Sequence, residues 1–307
     1  MTSVLLTGAS GFIGRRVLGA GDESEYRIIA AGRRPVGDRY IILDLNGPLD
    51  SLPRADWVFH LAGGYAGADA RTLDCCDLDM ARRLIDWGKR QEIKNWVFAS
   101  AAEVYGRSEG SVTEDSPTQP LIPYGRVKLQ IERMFTQLAD EAPDSRVALL
   151  RIGEAYGPDG TLIDELTARF RTSFCPWFGS GDVPVSFVHV DDVARSFWAA
   201  ARAAPLGVSI WNIADDEPVT WREFLDYLAD LLGARKAIGL PLPLARLYAA
   251  ASTAADRVRR RTPTVTQHVV TLLTTPKPLS NRRARDELGW ELRYPEYRGG
   301  LRATVSS

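Results

Sequence analysis

The sequence predicts an α/β protein built on a doubly wound parallel sheet, and three observations predict it. The first is the N-terminus. Val4, Leu5 and Leu6 form an apolar run, Gly8, Gly11 and Gly14 interrupt it at regular intervals, and Phe12, Ile13 and Val17 resume at helical spacing. The second is alternation: short apolar runs suited to buried strands take turns with amphipathic segments through the first half of the chain. The third is composition, since 307 residues with 45% hydrophobic and 25% charged content describe a globular chain able to bury a full core.

Each element has its own signal. Residues 4–6 read as a buried strand, and the glycines as a turn into a helix. Strands follow at 27–31, 40–43 and 56–61. Residues 77–90 read as a helix, with Leu78, Ala81, Leu84, Ile85 and Gly88 on one face. A fifth strand occupies 96–100. Pro123 opens a helix over 123–139, at a position where its missing N–H leaves nothing unsatisfied. A sixth strand spans 147–152. Beyond it, 186–190 reads as a strand, Asp191 or Asp192 is expected to cap a helix running to 203, and 211–214 is another strand. Thr220, with Glu223 three residues on, forms the capping box of a helix through 232.

Charge and cysteine usage exclude several classes. The net charge is −1, which gives no basic surplus for nucleic acid or an anionic membrane. The basic cluster Arg257, Arg259, Arg260 and Arg261 reads as a solvated helix end. The three cysteines, Cys75, Cys76 and Cys175, form neither a disulfide framework nor a metal-ligand spacing, and fit a reducing cytoplasm. The N-terminus is taken up by a strand and a glycine turn, so no signal peptide is expected. The most apolar later stretch, 238–251, contains Arg246 and two prolines and is too short to span a bilayer.

The glycine spacing also has a chemical reading. One glycine permits a tight turn, one lets backbone N–H groups approach a pyrophosphate, and one lets helix and strand pack closely. Between a strand and a helix this pattern points to a bound dinucleotide. The residue ending the second strand then meets the adenosine ribose, where an acid would bond a 2′-hydroxyl. The sequence there is Ala31-Gly32-Arg33-Arg34. The acid is absent, and two guanidiniums can pair with a 2′-phosphate, which favours NADP over NAD.

Thr7-Gly8-Ala9-Ser10-Gly11-Phe12-Ile13-Gly14 resembles the opening of the extended short-chain dehydrogenase/reductase superfamily, in its epimerase/dehydratase branch. Later motifs carry the resemblance over nearly the whole chain. It implies a Rossmann dinucleotide-binding domain (1–158 plus about 186–214). It also implies a smaller, discontinuous, mostly helical substrate domain (159–185 plus about 215–307), with 280–290 similar to the family's closing helix. Gly8, Ser10, Gly11, Phe12, Ile13 and Gly14 would hold the cofactor. Asp44 and Leu45 match the pair beside the adenine, and Leu61, Ala62 and Gly63 the segment passing the phosphates and ribose. His60, in the same segment, reads as structural.

Tyr124-Gly125-Arg126-Val127-Lys128 matches the family's Tyr-x-x-x-Lys, whose spacing puts both side chains on one helix face. The resemblance implies Tyr124 as acid/base, with Lys128 bonding the cofactor ribose. A nearby ammonium and the positive nicotinamide are expected to favour the phenolate. The family places a Ser or Thr four residues before the tyrosine of Val104-Tyr105-Gly106, and that position holds Ala101. Ser100 is one residue early, and neighbours on a strand face opposite ways. Glu103 stands where sugar-nucleotide dehydratases and decarboxylases often carry a glutamate. The catalytic candidates are therefore Tyr124, Lys128, Ser100 and Glu103.

Further departures concern the substrate. Asp77 replaces a usual Asn, and Glu154 replaces the Asn of an Arg-x-x-Asn-Val-Tyr-Gly-Pro motif at 151–158. Val183-Pro184-Val185-Ser186 lacks the arginine that grips a substrate diphosphate in the sugar-nucleotide enzymes. The tail at 240–290 is similar to hydroxysteroid-dehydrogenase and dihydroflavonol-reductase-like members. The resemblance implies an NAD(P)-dependent oxidoreductase, epimerase or dehydratase. Its expected chemistry is hydride transfer at a secondary alcohol or ketone of a nucleotide sugar or related sugar, with NADP as cofactor and NAD as the alternative. Two other readings stay open: a ketone reductase on an apolar or natural-product substrate, and a non-catalytic NADP-binding sensor. The partner is a small-molecule substrate, with no nucleic acid, membrane or metal. Oligomeric state is open, a homodimer included.

Overall fold

The computed structural model describes residues 1–36, 40–64, 73, 77–108, 110–172, 175–258 and 265–306. Seven parallel strands form the central sheet: β1 (Thr2–Thr7), β2 (Tyr26–Gly32), β3 (Tyr40–Ile42), β4 (Trp57–His60), β5 (Asn95–Ala101), β6 (Arg146–Ile152) and, far along the chain, β11 (Gly207–Ile213). They lie in the order β11-β6-β5-β4-β1-β2-β3. The order reverses between β1 and β4, so a crevice opens at their C-terminal ends, where such sheets take their ligands.

The inner strands β1, β4, β5 and β6 bury both faces, as a parallel sheet requires, while the edge strands β3 and β11 are partly exposed. Val4 and Leu6 enter one core with Phe59, Val97, Leu150 and Phe197. Leu5 enters the other with Val58, Phe98, Leu149 and Phe135. The first core packs against α1 (Phe12–Gly19) and a later helix, Val190–Ala203. The second packs against α2 (Asp79–Arg90) and α3 (Pro123–Glu141). A third cluster, around Tyr156, Phe187 and Phe224, joins the short strands β7 (Glu154–Tyr156), β8 (Pro176–Phe178), β9 (Pro184–Val185) and β10 (Phe187–His189) to helices at 161–171, 221–231 and 297–305.

Most expected elements are present within a residue or two, including the Thr220–Glu223 capping box. Three differ for identifiable reasons. Helix Val190–Ala203 is capped neither by Asp191 nor by Asp192. The His189 imidazole Nδ1 accepts the Asp191 N–H at 3.2 Å, while the Asp192 carboxylate receives the N–H groups of Arg293 and Tyr294 at 2.6 and 2.9 Å. Strand β11 begins at Gly207 rather than at 211, because its first four residues are only half-buried at the sheet edge and carry a weak apolar signal. The closing helix is shorter than 280–290, spanning Arg282–Leu288 and ending on Gly289 in the left-handed region, φ 57°.

Cys75, Cys76, Arg259, Arg260 and Arg261 lie outside the described residues, as does the side chain of Arg257. Cys175 is buried and free. Among the described residues no helix is long and apolar enough to cross a membrane, and no group of side chains is arranged to hold a metal ion.

Candidate active site

The glycine turn is compressed on all sides. Gly8 has φ +75°, and a Cβ there would lie 2.5 Å from the backbone nitrogen of Ala62 and 2.7 Å from the carbonyl carbon of Leu61. A Cβ on Gly14 would lie 2.1 Å from the Gly8 carbonyl oxygen. The turn is thus pressed between the end of β4 and the start of α1. No side chain caps α1, whose N-cap is Gly11, so its first N–H groups are left for a ligand. An anion suits this helix terminus through both hydrogen bonding and the helix dipole.

Ser10, Phe12 and Ile13 are half-buried around the turn, and Leu61, Ala62 and Gly63 continue from β4 beside it. Arg33 and Arg34 are exposed just past β2. Asp44 is exposed and accepts the Asn46 N–H at 3.0 Å, whereas Leu45 is buried in the second core. Residues from four separate stretches therefore line one edge of the sheet. The glycines that a Cβ would jam and the uncapped helix start fit the diphosphate of a dinucleotide.

The other wall is α3. A Cβ on Gly125 would be 2.3 Å from the Glu103 carbonyl oxygen, so the first turn of α3 sits on the single helical turn Ala102–Val104 that follows β5. Tyr124 and Lys128 lie one turn apart. The Lys128 ammonium is 5.4 Å from the Tyr124 ring centre and 5.0 Å from that of Phe98, and it donates to the Ala99 carbonyl at 3.1 Å. Asp77 joins it: one carboxylate oxygen accepts the Gly64 N–H at 2.6 Å. A Cβ on Gly63 would meet the other oxygen at 3.0 Å and the Lys128 nitrogen at 3.3 Å.

The protein's own electrostatics at Tyr124 act against the phenolate. Burial pushes the phenol well above its usual range, and Glu103, Asp77 and Glu154 push it further in the same direction. These groups favour the neutral phenol, and the positive nicotinamide expected to oppose them would come with the cofactor. Burial also lowers Lys128, against the opposing pull of Asp77, Glu103 and Glu132.

Ser100 is not brought to this group. Its hydroxyl donates to Glu132 at 2.5 Å, and Glu132 is in turn gripped by Arg151 at 3.0 and 2.7 Å. His60 is structural. Its ring contacts the Thr7 hydroxyl at 2.9 Å, and burial, with the Lys128 charge, holds its pKa down at about 3.

Lys277 was missed by sequence reasoning. Its ammonium forms an ion pair with Glu103 and lies 3.9 Å from Glu154, with the lysine side chain 5% exposed and that of Glu103 10% exposed. Burial and the Glu103 charge raise Glu154 to about 7, opposed by Lys277. The available signal was a lone lysine between Pro276 and Pro278 in an otherwise uncharged segment. A narrow crevice of about 10 Å³, room for a single water, lies beside the pair, lined in part by Leu121, Ile122 and Thr271. Val185 is buried, 1% exposed, in the third apolar cluster.

A doubly wound parallel sheet, a glycine turn fitted to a diphosphate and a Tyr–Lys pair at the crevice define an NAD(P)-linked, oxidoreductase-type enzyme of the extended short-chain dehydrogenase/reductase kind. The model of the NAD dependent epimerase/dehydratase family matches residues 4–214, and the chain belongs to that family. A 3-diazoavenalumate denitrifying reductase from a Streptomyces species is 28% identical, over 97% of this chain and 98% of its own length. The solved structure of MoeE5 in complex with UDP-glucuronic acid and NAD is 27% identical, with a TM-score of 0.81 over 99% of this chain and 98% of that one. The human epimerase family protein SDR39U1, solved with NADPH, shares the fold at 21% identity and a TM-score of 0.80, over 99% of each chain.

Proposed function

We propose that the protein catalyses NAD(P)-linked hydride transfer at a secondary alcohol or ketone carbon, with Tyr124 as acid/base and a nucleotide sugar or related sugar as substrate. The observation that carries it is Tyr124 itself, with the Lys128 ammonium 5.4 Å from its ring centre, the charges of Glu103, Asp77 and Glu154 acting on its phenol, and Lys277 paired with Glu103 and Glu154. The nicotinamide supplies or accepts the hydride. The chain's own groups do the rest. The Gly8–Gly14 turn and the open N–H groups of α1 hold the diphosphate, with Ser10, Phe12, Ile13, Asp44, Leu45, Leu61, Ala62 and Gly63 along the same edge. Lys128 bonds the ribose. Tyr124, protonated at rest, gives its proton to the substrate oxygen during reduction and takes one back during oxidation.

The UDP-sugar complexes of MoeE5 support the sugar reading. A second reading is a ketone reductase whose substrate carries no diphosphate. Val185 favours it, since the position expected to hold a diphosphate-gripping arginine is packed into an apolar core. In both, residues 1–158 plus about 186–214 bind the cofactor and 159–185 plus about 215–307 the substrate. The free, buried Cys175 supports work in a reducing cytoplasm.

A substrate panel tests this by following the nicotinamide absorbance. Turnover of a UDP- or dTDP-sugar selects the first reading, and binding is then expected to be weak or to use another basic group. Turnover confined to ketones without a diphosphate selects the second. Tight cofactor binding with no turnover on either panel refutes both and favours a sensor.

NADP is the proposed cofactor, on the strength of Gly32, Arg33 and Arg34. Arg33→Ala is expected to weaken NADPH binding about tenfold or more, the worth of one charge-assisted hydrogen bond, while NADH binding changes little. Titration of the protein with both reduced cofactors checks this. An equal loss for both would make Arg33 a surface residue only.

A further inference from the structure

We propose that Lys277 is the second donor to the substrate oxygen, in place of the hydroxyl that Ala101 lacks. The inference rests on the hydride-transfer reading above.

Reduction of a carbonyl builds negative charge on its oxygen, and donors fixed in advance around that oxygen lower the barrier. Tyr124 is one such donor. Ser100 is committed to Glu132, Ala101 has no hydroxyl, and Glu103 is engaged as the acceptor of the Lys277 ammonium. Lys277 has donors to spare. An ammonium carries three N–H groups. Among the described residues Glu103 is its only hydrogen-bond acceptor, because Glu154 at 3.9 Å is a charge partner beyond hydrogen-bond range. Glu103 and Lys277 line the same narrow crevice as Ile122, two residues before Tyr124. The carboxylates that Lys277 spans, Glu103 and Glu154, are two of the three that hold the proton on Tyr124.

The lysine is also fixed in place. Its backbone N–H donates to the Pro184 carbonyl at 3.0 Å, and Pro276 and Pro278 on either side accept the N–H groups of Ser108 and Val112 at 3.0 and 2.7 Å. Two carboxylates keep the amine protonated, above its ordinary range despite burial. In the step itself the carbonyl carbon gains the hydride, the π pair moves to oxygen, and Tyr124 protonates that oxygen. Lys277 donates a hydrogen bond throughout and keeps its protons.

The test compares wild type, K277M, A101S and A101S/K277M, each checked for fold and NADPH affinity. Two readouts are used: binding of para-nitrophenolate, an oxyanion probe, to the NADP⁺-loaded protein, and NADPH-dependent reduction of phenanthrenequinone. K277M is expected to bind the phenolate at least about tenfold more weakly and to lose about a hundredfold in turnover, as for loss of one oxyanion donor. A101S should restore both by tenfold or more in K277M and raise them less than threefold in the wild type. Should K277M misfold with its two carboxylates unpaired, the same comparison is made between E103Q/E154Q and E103Q/E154Q/K277M, where neutral amides remove both orphan charges.

Wild-type phenolate binding in K277M, or an equal effect of A101S in both backgrounds, overturns the proposal and leaves Lys277 a structural tie. Phenolate discrimination without any turnover supports Lys277 as the donor and faults the hydride-transfer reading instead.

Discussion

Tyr124→Phe is expected to abolish measurable turnover while leaving NADPH affinity within about twofold. The phenol accounts for general acid–base catalysis, a contribution on the order of 10² to 10⁴ in rate. Its hydroxyl makes no hydrogen bond to the protein among the described residues, so removing it leaves no partner unsatisfied and melting should hardly move. The pH profile of the wild type carries a second signature. Burial and three carboxylates raise the phenol well above its usual range. Reduction, which needs the proton, should therefore stay flat through neutral pH. Oxidation, which needs the phenolate, should climb with pH over the same interval. Stopped-flow turnover with an active substrate decides it, and full activity in the phenylalanine variant would refute Tyr124 as the acid/base.

Gly14→Ala should cost both stability and cofactor. The new methyl would stand 2.1 Å from the Gly8 carbonyl oxygen and 2.8 Å from the Ala9 Cα, both backbone atoms that cannot turn aside. Helix α1 must back away from β1, at about 2 kcal/mol for an overpacked contact. Its open N–H groups then leave the diphosphate position, so NADPH binding should weaken at least about tenfold. Gly19→Ala is the control. It lies in the last turn of the same helix with nothing within 4 Å of its Cβ, and alanine there should be neutral or stabilise by about 0.5–1 kcal/mol. Thermal melting and NADPH titration of both variants give the comparison. Equal behaviour would mean that the Gly8–Gly14 contact does not set the position of α1.

Much of this was legible in the chain. The inner strands of the first half, β1, β4 and β5, are apolar runs buried on both faces, and their burial follows from composition over a few residues. The glycine turn is legible because its close contacts forbid a side chain whatever lies beyond it. Tyr124 and Lys128 share a face because four residues make about one helical turn, and the Thr220–Glu223 capping box closes within four residues. These are local constraints, and a linear sequence carries them directly.

What only the tertiary structure decided depends on partners distant in sequence. Glu103 and Lys277 are 174 residues apart, and no spacing rule connects them. The sequence marked Glu103 as a catalytic candidate and Glu154 as a departure from a pattern, yet only the packing of 276–279 against β9 brings an ammonium between them. Ser100 lies next to the expected hydroxyl position, but the sheet turns it to Glu132 on α3. His189 caps its helix because Asp192 is drawn to the backbone of 293 and 294. The surroundings of the Tyr124 phenol were hidden for the same reason. Lys128 is near in sequence and visible as a charge, whereas burial and the carboxylates of Asp77, Glu103 and Glu154 come from the folded environment, and together they raise the phenol above its usual range.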